Sequence, residues 1–244
     1  MVDRAYWKER AKTYNNLDWV RHRQSLELVI KHGQFKSDDL VLDIGTGNGV
    51  LATAIAPFVE QVIGIDVSND MLSIAKRVNN VHYLQWDVHK PLFDTGIFNK
   101  IIMRQFLHHI PADKLDTVMH HCNKWLVPGG KLIIVEPICV TELFNEYSTI
   151  FELKDNRIVF TLQDIKKLLR STGFILEDVV HFRINDFSVR NWLSNNALDK
   201  ATQNKIYDMH VSCSPLFREK YNVRVVDSDC LIDTHNVVMI GSKG

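Results

Sequence analysis

The chain has 244 residues, and its 29 Lys plus Arg equal its 29 Asp plus Glu, so the formal net charge is zero. A balanced charge offers no basic field for long nucleic acid, which excludes phosphate tracking as the main source of affinity. A chain of this length favours one domain with a substantial core.

The opening segment "MVDRAYWKERAKTY" is charged and amphipathic, and it lacks the apolar centre of a secretion signal. No apolar run approaches membrane-spanning length. Cys122, Cys139, Cys213 and Cys230 are scattered, with no Cys-x-x-Cys pair. The expectation is therefore a cytoplasmic chain with reduced thiols and no membrane span.

Residues 2–32 read as two N-terminal helices, the second stopping at Gly33. From there the pattern alternates strand and helix, the signature of a parallel sheet covered on both faces. Strands are predicted over 40–44, 61–66 ("QVIGID"), 81–86, 100–103 and 131–136 ("KLIIVE"). Pro111 suits a first helical turn, with Leu115, Val118, Met119, Cys122 and Trp125 following at helical spacing. His120, His121 and Cys122 fall inside that pattern at a spacing that fits no usual metal site, so a helix face and no metal are expected. Pro128-Gly129-Gly130 is read as a break before the fifth strand. Thr161-x-x-Asp164 forms a capping box opening a helix with Ile165, Leu168 and Leu169 inward and Gly173 as its stop. Two more strands follow, near 177–183 and over 236–241 ("NVVMIG"), separated by a helical insert over 188–220.

The stretch "VLDIGTGNGVLA" at 41–52 carries the chemistry. Strand, glycine turn and helix in succession bare backbone N–H groups where an anion can sit. A dinucleotide loop asks for Gly-x-Gly-x-x-Gly. Here the glycines are Gly45, Gly47 and Gly49, and Val50 holds the position of the third. Asp43, just before the turn, would repel a pyrophosphate and attract the ammonium and sulfonium of S-adenosylmethionine. Asp66 ends the second strand, where a carboxylate can accept both ribose hydroxyls. Asp87 follows the third strand, where it can accept from the adenine amine while Val88 supplies an N–H. Taken singly, each acid also fits an ordinary strand end. Three acids at successive strand ends face the edge where open α/β sheets bind ligands.

With these residues the chain resembles class I S-adenosylmethionine-dependent methyltransferases, and most closely the small-molecule branch that includes ubiquinone/menaquinone C-methyltransferases. The resemblance rests on "VLDIGTGNG" at 41–49, "GIDVSNDML" at 64–72, "LQWDVHKPLF" at 84–93, "IIMRQFLHHI" at 101–110 and "LVPGGKLIIVEP" at 126–137. It implies an α/β fold: a seven-stranded, mostly parallel, doubly wound sheet with the last strand antiparallel. It divides one methyltransferase domain over 1–244 into a helical cap (1–34), core (35–187), insert (188–220) and terminal strands (221–244). It implies S-adenosylmethionine as cofactor, contacted by Asp43, Gly45, Thr46, Gly47, Asn48, Asp66, Val67, Met71, Asp87, Val88 and Arg104.

Methyl transfer needs alignment of nucleophile, methyl and leaving sulfur, with a base where the acceptor must lose a proton. His108 and His109, in "RQFLHHI", are the candidate bases, against a structural role in packing that segment. Tyr14, Gln105, Arg190 and Trp192 are candidate substrate contacts, Arg190 for an anionic group. The insert is expected to be a lid that helps choose a small-molecule acceptor, against a surface decoration or dimer contact whose apolar face packs on the core or on a partner. An Asn/Asp-Pro-Pro-aromatic signature of amino-methylating nucleic-acid enzymes is missing, since that place reads "MRQF". The rival readings are a non-catalytic S-adenosylmethionine-binding module and an NAD-dependent oxidoreductase, the latter disfavoured by the loop and Asp43.

Overall fold

The computed structural model describes residues 4–155 and 157–244, so the predicted start of the first helix at residues 2 and 3 lies outside the described residues. Its strands are β1 (Leu40–Ile44), β2 (Gln61–Asp66), β3 (Val81–Gln85), β4 (Phe98–Arg104), β5 (Leu126–Pro137), β6 (Phe174–Ser188), β7 (Arg224–Val226) and β8 (Asp229–Lys243). Seven of them form a continuous sheet in the order β3-β2-β1-β4-β5-β8-β6, and β7 pairs off that path with β8. The first five are parallel, and β8 lies antiparallel between β5 and β6. This is the expected mostly parallel sheet with its last strand reversed. The addition is β7, turned back onto β8 through Asp227 and Ser228, both at positive φ. Such a two-residue turn favours Asn-Gly, and without a glycine "DS" gave no hairpin signal.

The helices are α1 (Arg4–Ala11), α2 (Asp18–Arg21), α3 (Arg23–His32), α4 (Val50–Ile55), α5 (Asn69–Ser73), α6 (Leu115–Trp125), α7 (Phe144–Lys154), α8 (Leu162–Ser171), α9 (Val189–Ser194), α10 (Lys200–Val211) and α11 (Pro215–Lys220). Among the described residues, no helix is long and apolar enough to cross a membrane. The two predicted N-terminal helices are three, because Leu17 and His22 adopt extended backbone and interrupt the run. Pro128-Gly129-Gly130 does not break the chain before the fifth strand. It lies inside β5 as an irregularity in the pairing with β4, with Gly129 at φ 71°.

Alternation along the central strands builds both covered faces. Ile101, Met103, Leu132 and Ile134 point to the layer of α6 and α8, packing with Met119, Trp125, Ile165 and Leu169. Ile102, Ile133 and Val135 point the other way, onto Val29 of α3 and Leu51 and Ile55 of α4. The Thr161/Asp164 capping box is made in both directions and fixes the start of α8, a device worth about 1 kcal/mol. A third cluster sits above the carboxyl edge of the sheet, where Tyr147 and Ile150 of α7 meet Trp192, Ile206 and Phe217 of the insert and Tyr221 just after it. Pro215 starts α11 at its first turn.

Candidate functional site

The turn after β1 is shaped by glycine. Gly45 has φ 68°, and a Cβ on it would lie 2.1 Å from the Phe106 ring. Gly47 has φ 55°, where any larger side chain is strained and would press on Met71. Contrary to the expectation of bare N–H groups, much of the turn is internally bonded. Gly45 and Thr46 N–H groups donate to the Ile65 carbonyl, Gly49 N–H to that of Thr46, and Gly47 N–H to Asp66 Oδ2 at 2.9 Å. The helix that follows has only six residues.

Two adjoining cavities open at the carboxyl edge of the sheet. The first, about 670 Å³, lies against Gly45, Gly47, Asp66, Val67, Met71, Asp87, Val88 and Arg104. Asp66 holds its carboxylate between the Gly47 and Ser68 N–H groups, each at 2.9 Å, and burial raises its pKa. Asp87 is bonded by His89 through both its ring Nδ1 (2.7 Å) and its N–H (3.1 Å). Its pKa is lowered: the His89 bonds and charge outweigh desolvation, the largest opposing effect. Ile65, Val88, Phe106 and Ile110 give this cavity an apolar slot. Arg104 reaches it from the end of β4, steadied by the Trp19 carbonyl (3.2 Å) and the Ser25 hydroxyl (3.3 Å).

The second cavity, about 780 Å³, is walled by aromatic side chains including Trp19, Tyr147, Phe151, Phe187 and Trp192. Trp7, Tyr14, Gln105 and His109 line both cavities and form the partition between them. Gln105 holds φ 55°, a costly conformation for a non-glycine residue and one that clusters at functional sites. Its amide reaches Asn236 Oδ1 at 3.4 Å. His108 opens onto the second cavity, with Nδ1 2.6 Å from Glu136 Oε2. The other oxygen of Glu136 accepts from Phe106 N–H (2.7 Å) and Leu107 N–H (2.6 Å). Burial lowers the pKa of both histidines, that of His109 well below the ordinary value.

Four of the sequence-derived site residues are placed elsewhere. Asp43 does not line the first cavity. In a central strand buried on both faces its side chain turns under the loop, 2% exposed, and accepts the Thr46 hydroxyl at 2.6 Å. Burial pushes its carboxyl up to about 7. Thr46 is thereby turned away from the cavity, and Asn48 is occupied with Asn15 at 2.7 Å and with the Val50 N–H. Arg190 is outside the second cavity too. The buried face of α9 carries Val189, Trp192 and Leu193, so Arg190 falls opposite, over the Tyr207 ring and bonded to the Ser228 carbonyl. Sequence reasoning missed Trp7, Arg10, Glu136, Arg157 and His210. Only Glu136 left a signal, as a lone acid closing the apolar run "KLIIVE".

Residues 41–130 match the family described as a methyltransferase domain. The uncharacterized methyltransferase YcgJ of Bacillus subtilis is 30% identical over 142 residues, covering 56% of this chain and 55% of that protein. Its crystal structure superposes with a TM-score of 0.82 at 20% identity, over 91% of this chain and 99% of that one. A ubiquinone biosynthesis O-methyltransferase of Psychrobacter arcticus is 26% identical over 180 residues, covering 64% of this chain and 66% of that protein. The structure of Haemonchus contortus phosphoethanolamine N-methyltransferase 2, in complex with phosphomonomethylethanolamine and S-adenosylhomocysteine, superposes with a TM-score of 0.60 at 21% identity, over 91% of this chain and 52% of that one. This chain spans less than two thirds of the length of the curated relatives it matches. Over residues 41–130 the chain is thus similar to a methyltransferase domain, and across most of its length it shares the fold of YcgJ.

Proposed function

We propose that the protein transfers the methyl group of S-adenosylmethionine to a small-molecule acceptor. The observation that carries this reading is the pair of cavities meeting at Gln105 and His109, one beside the glycine turn and Asp66, the other aromatic. The first cavity suits the donor. Gly45 and Gly47 leave room for close approach, Asp66 offers a carboxylate to ribose hydroxyls, and the apolar slot with Asp87 and Val88 takes the adenine. Arg104 is placed for the donor's carboxylate. When bound, S-adenosylmethionine supplies a methyl carbon already activated by a sulfonium.

The chain's own residues then align and deprotonate. The partition of Trp7, Tyr14, Gln105 and His109 lets the two ligands meet only there and excludes water from the transfer. Glu136 accepts a hydrogen bond from His108 Nδ1–H, which leaves Nε2 as the basic nitrogen. His108 therefore acts as the base for an acceptor that must lose a proton, with Glu136 as its positioning residue. The insert contributes Trp192 and His210 to the acceptor cavity and helps choose the acceptor. The Psychrobacter arcticus relative is named as an O-methyltransferase of ubiquinone biosynthesis, which agrees with an acceptor that loses a proton.

Titration calorimetry with S-adenosylmethionine, S-adenosylhomocysteine and NAD tests the reading. Binding of the first two without NAD is expected, and comparable NAD affinity would overturn it. A mass spectrum of the denatured extract checks for copurified donor, product or acceptor.

A further inference from the structure

Arg10 is the part of the acceptor cavity that methyl transfer leaves unused. It is 3% exposed, and its Nε and Nη1 have no hydrogen-bond partner among the described residues. Its guanidinium lies 5.8 Å from the ring centres of Tyr6 and Trp7 and 5.6 Å from that of Tyr14. Aromatic faces attract a cation, but they leave its N–H donors unmade. An arginine cannot escape the cost of burial by losing its proton.

The nearby acids do not answer it. Asp155 already accepts from Lys154 Nζ at 2.6 Å and from Arg157 Nη2 through Oδ2, and from Arg157 Nε at 2.7 Å through Oδ1. Glu136 is taken by His108 and two N–H groups. Arg10 and Arg157 both line the acceptor cavity, so two guanidiniums share the one carboxylate beside them, which Arg157 already engages. A buried cation is tolerated where an anion and donor–acceptor geometry complete it.

We infer that the acceptor carries an anionic group, a carboxylate or a phosphate monoester, that docks on the Arg10 guanidinium while its apolar body lies against the aromatic walls. This rests on the methyl-transfer reading for the word acceptor, whereas the anion site itself does not.

The test uses benzoate and phenyl phosphate as acidic probes and benzyl alcohol as the neutral one, with and without S-adenosylhomocysteine. Binding is read from quenching of the cavity tryptophans Trp7, Trp19 and Trp192. Charge-assisted bonds make about tenfold or tighter binding of an acidic probe the expected result. The stronger of the two acids separates a carboxylate site from a phosphate site. Arg10→Met should erase the preference and Arg10→Lys retain part of it, both remaining folded by circular dichroism. Equal binding of acids and alcohol by the unaltered protein, or no binding of either acid, would overturn the inference. So would an intact preference in Arg10→Met. Acid preference without any S-adenosylhomocysteine binding would support the anion site and overturn the methyl-transfer reading.

Discussion

His108 Nδ1 lies 2.6 Å from one carboxylate oxygen of Glu136, while the other oxygen accepts the two N–H groups that open the turn carrying His108. One acid thus sets both the turn and the ring it presents. Glu136→Gln keeps an acceptor for Phe106 and Leu107, but its amide N–H₂ would face Nδ1 and move the ring proton to Nε2. The expected result is a fall in kcat of about 10²–10⁴, close to that of His108→Ala, with unchanged S-adenosylhomocysteine affinity and little change in Tm. Because burial lowers the His108 pKa, the acid limb of the rate profile should fall below the ordinary histidine value of 6.5. A limb at or above 6.5, or full activity in His108→Ala, would remove the base assignment.

Asp66 and Asp87 differ in what they offer a ligand. Asp66→Ala removes a carboxylate placed for two ribose hydroxyls and also frees the Gly47 and Ser68 N–H groups. Asp87→Ala removes one acceptor that His89 already engages. The Asp66 variant should weaken S-adenosylmethionine binding more, by at least one charge-assisted bond or about 1.5–3 kcal/mol, measured by calorimetry on variants shown to be folded.

Gly47→Val should abolish donor binding. The position has φ 55° and a Cβ there would sit 3.3 Å from Met71 Cε, so a β-branched side chain strains the turn and fills the cavity floor. Normal affinity in this variant would count against the turn as the donor site.

Asp43 should make the fold sensitive to pH. Its carboxyl is raised from 3.8 to about 7, chiefly by burial, so between those values the folded state holds a proton that the unfolded state has released. Stability contributed by this group is therefore present at low pH and lost as pH rises toward 7. Asp43→Asn cannot ionise. Thermal melts of both proteins should converge near pH 4 and diverge with rising pH, by at most about 4 kcal/mol above pH 8. Parallel curves would show that Asp43 is ionised without penalty.

Trp192 is 7% exposed and packs near Phe151, Phe187 and His210. Trp192→Ala should enlarge the acceptor cavity, costing about 3–5 kcal/mol of stability. Acceptor KM or selectivity should change while S-adenosylhomocysteine affinity stays within about twofold. Unchanged acceptor use would argue that the insert only decorates the fold.

The lining of the first cavity was legible because local chain order determines it. Turn glycines and strand-end acids follow their strands directly, so Gly45, Gly47, Asp66 and Asp87 could be placed before any tertiary contact was known. Asp43 was misplaced because strand-end position does not say which way a side chain turns, and β1 has no solvent face to receive it. Arg190 was misplaced by one helical step, since α9 buries its neighbours at 189, 192 and 193. The second cavity is assembled from α1, the turn after β4, α7, β6, the insert and β8, which only folding brings together. Arg10 and Arg157 look like ordinary surface charges in a linear reading. Similarly, the polar ends of β6 and β8 hid strands that run 15 residues each.

The partition has a kinetic consequence. Trp7 and Tyr14 belong to the N-terminal segment, yet they wall both cavities and lie beside Arg10. Movement of that segment to release one ligand disturbs the wall of the other. The residence time of S-adenosylhomocysteine should therefore lengthen when a small molecule fills the aromatic cavity.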